Sequence, residues 1–219
     1  MPQPSIIETP LHTFIMQLQR VHYNERAIYH HVNNEHIERL IAIAEKLGWI
    51  KDVNLYLAIV FHDAIYDHLS NKELRSGHFF LSIADRVKEI INKYYWSYTF
   101  TTDFSPDTVF DLILSTDGHD ITDNKDYRMA VLDLWDLTVP HRTATNFFKI
   151  LEESTLLYGI DKVAAAKGTL EFMNSFENTI KSNLEFTKKD ERSSKFWSDV
   201  LDGIKLTRSL AESILSEQS

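Results

Sequence analysis

Cysteine is absent from the 219 residues, and that gap removes several chemistries at once. Disulfides, zinc–thiolate centres, iron–sulfur clusters and cysteine nucleophiles are all excluded. Any metal must be held by imidazole nitrogen and carboxylate oxygen, and the chain carries 10 His and 32 acidic residues to do it. Glycine and proline are scarce as well, at 6 and 5. An all-β chain with many tight turns needs more of both, so the shortage points to helices. No stretch approaches the ~18 consecutive apolar residues of a membrane span. The opening MPQPSIIETPLH has neither the basic start nor the apolar run of a secretory signal. The expectation is a cytoplasmic protein with no membrane partner. An excess of positive charge is also missing. The net charge of −9 argues against broad nucleic-acid binding through a basic face. It leaves room for a small anionic substrate, because a divalent ion with one or two local cations reverses the field inside a pocket.

What is present is ordinary for a globular chain: 43% hydrophobic and 25% charged residues. The length suits one domain, or one domain plus an extension. Helical periodicity dominates and predicts an all-α bundle around a central buried helix. Ile37, Leu40, Ile41, Ala44 and Leu47 make one apolar stripe over residues 33–47. Residues 53–66 are apolar almost all round, as a central helix should be. Ser70 and Glu73 have capping-box spacing and open a helix running to about Tyr94. Ser105-Pro106-Asp107 is a second start signal, a capping hydroxyl followed by proline and an acid. Further helices are expected over 127–137, 143–158 and 163–186. Residues 187–219 are read as a C-terminal helical extension on the same domain, which spans 1–186. The aromatic-rich stretch 93–104 is less helical and is expected to form a loop shaping one wall of a site.

Two His-Asp dipeptides occur, His62-Asp63 and His119-Asp120. About one is expected by chance in a chain this rich in both residues, so context must separate them. His62-Asp63 ends a strongly apolar helix, where a carboxylate is costly to bury unless paired or metal-bound. Asp120 lies in a polar turn and needs no such explanation. His36, one turn before Leu40 and two before Ile43, points inward with them. Asp133 and Asp136, three apart on one expected helix, share or flank its apolar face. Two imidazoles and two carboxylates from separate helices would make a site suited to Mn, Fe, Co, Ni or Zn, and with carboxylate bias to Mg.

The same residues carry a family resemblance. The chain reads YHHVNNEHI at 29–37, FHDAIYD at 61–67, NKELRSG at 71–77, TDGH at 116–119, LDLWDL at 132–137 and ENTIKSNL at 177–184. In that order these motifs resemble the HD superfamily of metal-dependent phosphohydrolases, in particular its branch of small bacterial and phage proteins, over residues 22–186. FHDAIYD is the specific element. Two departures leave assignments open: two extra residues precede His36, so His30 or His31 stands as the leading histidine. One extra residue in the late motif leaves Asp136 or Asp133 as the ligand, with Asp136 preferred for the apolar Leu137 and Val139 after it.

The resemblance implies an HD-domain-like helical bundle whose metal is held by His36, His62, Asp63 and Asp136. It implies hydrolysis of a phosphate ester of a small anionic substrate, such as a nucleotide, by hydroxide generated on the metal. His30 would be the acid near the leaving oxygen, against an exposed turn histidine. Glu73 would orient the water or hold a ligand, against a plain capping role. His119 would bind phosphate or a second metal, against a solvated turn residue. Lys72, Arg75 and Arg142 are candidate phosphate clamps, and Tyr94-Tyr95-Trp96 a candidate base-stacking cluster. Two other functions are compatible with these residues. One is a diiron oxygenase drawing extra ligands from His78, His119 or His141. The other is a non-catalytic metal- or nucleotide-binding protein. Metal identity and count, substrate and oligomeric state, including a homo-oligomer, stay open.

Overall fold

A computed structural model describes residues 4–20, 34–65, 71–122 and 126–217. The fold is all-α, with no strand among the described residues. The chain divides into two compact units, the first reaching Asp117 and the second running from Gly118 to the C-terminal end.

The first unit holds α1 (Pro10–Arg20), α2 (Asn34–Lys46), α3 (Val53–Phe61), α4 (Lys72–Tyr94) and α5 (Pro106–Leu114). All nine residues of α3 are buried, and α1, α2, α4 and α5 all pack on it. This is the central helix that its nearly uniform apolarity predicts. Its start is fixed by Asp52, whose carboxylate accepts from the Asn54 amide at 3.0 Å. Its end comes at Phe61, five residues earlier than the apolar run suggests. There the His62 ring nitrogen Nδ1 lies 2.9 Å from the Ile59 carbonyl, satisfying one of the acceptors that a helix terminus leaves over.

Ser105 caps α5 as its sequence predicts, accepting from the Thr108 amide with Pro106 in the first turn. The start of α4 differs from expectation. Asn71, in a left-handed conformation with φ 59°, holds the cap position and makes no side-chain cap bond, while Ser70, the other half of the expected capping box, lies outside the described residues. Helix α1 has no counterpart among the elements that periodicity predicts, although Thr9 and Pro10 are a start signal: Thr9 Oγ1 accepts from the His12 amide at 3.2 Å. Glycine matters at one contact here. A Cβ on Gly77 of α4 would come 2.7 Å from the Phe110 ring, so its absence lets α4 and α5 close together.

The aromatic-rich loop is anchored at the start of α3. Thr102 Oγ1 accepts from the Val53 amide at 3.0 Å, and Asn54 brackets Asp103 and Ser105 through 2.9 and 2.8 Å bonds. The loop is thus pinned to the opening turn of α3, about 13 Å along the helix from its C-terminal end. Tyr94 stacks on Phe14 at 4.7 Å, while Tyr95 and Trp96 are exposed.

A buried polar pair stands on the inner side of α1. The His12 Nδ1 and the Tyr56 hydroxyl are 3.1 Å apart. Burial, and secondarily the Arg20 guanidinium, pushes His12 down to about 4 from 6.5. Burial also pushes the Tyr56 phenol upward. His12 is therefore neutral in the folded chain, whereas the unfolded chain protonates it near pH 6.5. Its contribution is fully present above about pH 6.5 and is lost as pH falls toward about 4, by at most about 3 kcal/mol. Urea denaturation at about pH 7 and about pH 4.5 should show this loss, and His12→Gln should flatten it. A variant that keeps the same pH slope refutes the assignment.

The second unit holds α6 (Arg128–Asp133), α7 (Pro140–Tyr158), α8 (Lys162–Thr187) and α9 (Glu191–Ser216). Helix α8 begins at Asp161, whose carboxylate accepts from the amides of Val163 and Ala164. Helices α8 and α9, joined through residues 188–190, pack along each other, and α7 lies against both. The expected extension, weakly amphipathic in sequence, thus contains the 26-residue helix α9, which buries Trp197, Val200, Ile204, Ala211 and Ile214. Phe147, Leu151, Ala166, Ala211 and Ile214 make one apolar cluster of this unit. Asp133 and Asp136 do not share a helix. α6 ends at Asp133, and Asp136 lies in the 3-10 turn Trp135–Thr138.

Candidate functional site

In the first unit, α2 and the end of α3 bring two histidines together. His36 is buried beside Ile37, Leu40, Ile41 and Ala44; Ile43 is only partly buried, so the inward stripe runs through Leu40 and not through Ile43. His62 is 1% exposed. The rings of His36 and His62 have centroids 5.5 Å apart and a 55° interplanar angle. One ring nitrogen of each lies within 4.8 Å of the other. Two nitrogens on one tetrahedral ion stand about 3.4 Å apart at bonds of ~2.1 Å. A shared ion therefore needs at most a small inward rotation of these rings.

The local structure also orients His62. With Nδ1 engaged by the Ile59 carbonyl, Nε2 is the ring atom left to face Asp63, whose Oδ2 lies 3.2 Å away. That spacing suits a nitrogen and an oxygen on one ion, and a carbonyl on the far ring nitrogen is the usual support of a ligating imidazole. His36–His62 and His62–Asp63 are thus close pairs that share His62. Asp63 turns its other oxygen, Oδ1, to Lys72 Nζ at 3.3 Å, and the same ammonium is 3.5 Å from Glu73 Oε1. Lys72 is therefore bound to two carboxylates, and Glu73 sits beside Asp63's counter-charge. His30 and His31 lie outside the described residues, as do Tyr66 and Asp67 at the end of FHDAIYD.

The second unit places the later residues. His119, with φ 54°, turns its Nε2 to Asp133 Oδ2 at 2.7 Å, and its ring meets Phe176 edge to face at 5.6 Å. It is not a solvated turn residue: its side chain is 15% exposed. Asp120, by contrast, closes its own turn by accepting from the Thr122 amide and hydroxyl. Asp136 is buried, and accepts from Arg142 Nη1 at 3.1 Å and Asn146 Nδ2 at 3.2 Å. Arg142 is thus tied to a carboxylate. His78 and His141, two of the three extra ligands that a diiron reading calls on, are exposed on their units.

Comparison with protein-family models, curated proteins and solved structures finds no match.

Ser76 of NKELRSG and Asn183 of ENTIKSNL have roles that motif spacing does not assign. Ser76, fully buried on α4, accepts from the Ile65 amide at 2.9 Å and so clamps the turn that carries His62 and Asp63. Asn183, fully buried on α8, donates to the His119 carbonyl at 2.8 Å and accepts from the Ile121 amide at 3.2 Å. Met173, Phe176 and Ile180 precede it at helical spacing, all of them buried. A polar residue in such an apolar register is the sequence signal for this role, since a buried amide must find partners.

Proposed function

We propose that this chain is a metal-dependent phosphohydrolase acting on a phosphate ester, with nucleotides as the substrate class. The observation that carries the reading is the pair of buried imidazoles, His36 and His62, with Asp63 against His62 Nε2. Nitrogen and carboxylate donors of this kind suit a first-row divalent ion or Mg. Such an ion supplies an acidified water for attack on phosphorus and a Lewis acid for a phosphoryl oxygen.

The protein's own part is positional. Ile59 and Ser76 fix His62 and the turn after it, so that Nε2 and the Asp63 carboxylate are held ready before substrate arrives. Lys72 offers a cation for phosphate oxygens, and Glu73 holds that cation in place. The order of motifs that resembles the HD superfamily favours phosphoryl chemistry over simple metal storage. Of the three further ligands that a diiron site would call on, His78 and His141 are exposed, and His119 is engaged by Asp133.

Purified protein with Mn²⁺ or Co²⁺ should release phosphate from at least one member of a nucleotide panel. The double variant His62→Ala/Asp63→Ala should reduce that rate by at least about 1000-fold, as loss of the metal's Lewis-acid and nucleophile roles requires. Absence of turnover across the panel with Mn²⁺, Co²⁺, Ni²⁺, Zn²⁺ and Mg²⁺ refutes the reading.

A further inference from the structure

Asp63 presents its two oxygens to two different cation positions. Oδ2 lies 3.2 Å from His62 Nε2, where an ion shared with the imidazole would bind. Oδ1 lies 3.3 Å from the Lys72 ammonium, which also stands 3.5 Å from Glu73 Oε1. A carboxylate split between two positive centres is how an aspartate bridges the ions of a two-metal site, typically about 3.5–4 Å apart. Here one of the two centres is an ammonium supplied by the chain.

We propose that Lys72 fills the second cation position, so that the site takes one divalent ion and not two. The inference rests on the proposed metal site and fixes the ion count within it. Space favours it, because Nζ already lies at contact distance from both carboxylates that a second ion would need. Charge favours it too. With Lys72 present, Asp63 and Glu73 supply one net negative charge, which the first divalent ion more than cancels; a second would meet repulsion in a poorly hydrated setting. The anchorage of Lys72 also matters. It is the first residue of α4, and Ser76, one turn further on, is clamped to the Asp63 turn, so the lysine stem starts from a fixed point.

The consequence for chemistry is specific. The ammonium can stabilise charge on a phosphoryl oxygen, as a second ion would, but it cannot coordinate or activate dioxygen. A site so built suits hydrolysis with one ion and disfavours any reaction that needs a pair of redox metals.

The test is Mn²⁺ titration by calorimetry with elemental analysis of the desalted full-length chain. Wild type should take one Mn²⁺, and Lys72→Arg should stay at one. Lys72→Met, which keeps the stem and removes the charge, should take a second. Adding Glu73→Gln to Lys72→Met should return the count to one. The Lys72 side chain is 35% exposed at a helix start, so these variants should fold, and circular dichroism checks that they do. Two ions on wild type, or a single ion on Lys72→Met, overturns the inference alone. No Mn²⁺ on wild type overturns the metal reading, and this inference falls with it.

Discussion

His62→Asn should lower Mn²⁺ affinity at least about 100-fold while leaving the fold of the first unit intact. The expectation comes from how this ring is divided. Nδ1 serves the helix end through the Ile59 carbonyl, and Nε2 faces Asp63. Asparagine places an amide nitrogen near the former Nδ1 and has no atom at the former Nε2, so it separates the structural role from the ligating one. Loss of a supporting group alone typically weakens metal binding by about 10–100-fold, and loss of a ligand should exceed that. His62→Ala is the harsher comparison. It also empties a position that is 1% exposed, and leaves the Ile59 carbonyl without its partner, which should cost about 1–3 kcal/mol. Calorimetric titration gives the affinity and a thermal scan gives the fold. An affinity for His62→Asn within about threefold of wild type would show that Nε2 binds no ion.

Gly203→Ala is expected to destabilise the second unit by about 3 kcal/mol, lowering its melting temperature by roughly 12–24 °C. A Cβ at this position of α9 would stand 2.1 Å from the Leu137 carbonyl oxygen and 2.9 Å from its carbon. That obstacle is backbone, in the 3-10 turn Trp135–Thr138 that also carries Asp136, and its oxygen accepts from Thr143 Oγ1 at 3.3 Å. It cannot swing aside as a side chain would, so helix and turn must separate. Gly168→Ala is the internal control. Nothing lies within 4 Å of its added Cβ, and the change should stabilise α8 by up to about 1 kcal/mol. Chemical denaturation of both variants measures the contrast. A Gly203→Ala protein within about 0.5 kcal/mol of wild type would mean that α9 and the turn are looser than their geometry implies.

The chemistry of the side chains and the periodicity of the chain decided a good deal alone. Lack of cysteine restricted any metal site to nitrogen and oxygen, and this holds whatever the fold. Scarce glycine and proline, with stripes at helical spacing, determined the all-α class. The uniformly apolar run from Val53 marked the central helix, because a segment without a polar face has nowhere to go but inside. Ser105-Pro106 marked the start of α5, since capping is a bond between near neighbours in sequence. The inward placement of His36 and the burial of His62 were likewise readable from local register.

Tertiary structure decided the rest, and the reason is the same in each case: the deciding partner is fixed by packing rather than by register. The end of α3 depended on a side chain folding back on Ile59, and the clamp on the Asp63 turn on Ser76, which reaches it from another helix. Asp133 and Asp136, three apart, were expected on one helix, yet a break in it gave one to His119 and the other to Arg142 and Asn146. The role of Asn183 required the loop at 119–121 to come back against α8. Lys72, in sequence a candidate phosphate clamp, became the counter-ion of two acids only once α4 was set beside the end of α3. Periodicity reports which face of a helix is inward; it carries no information about which inward groups meet.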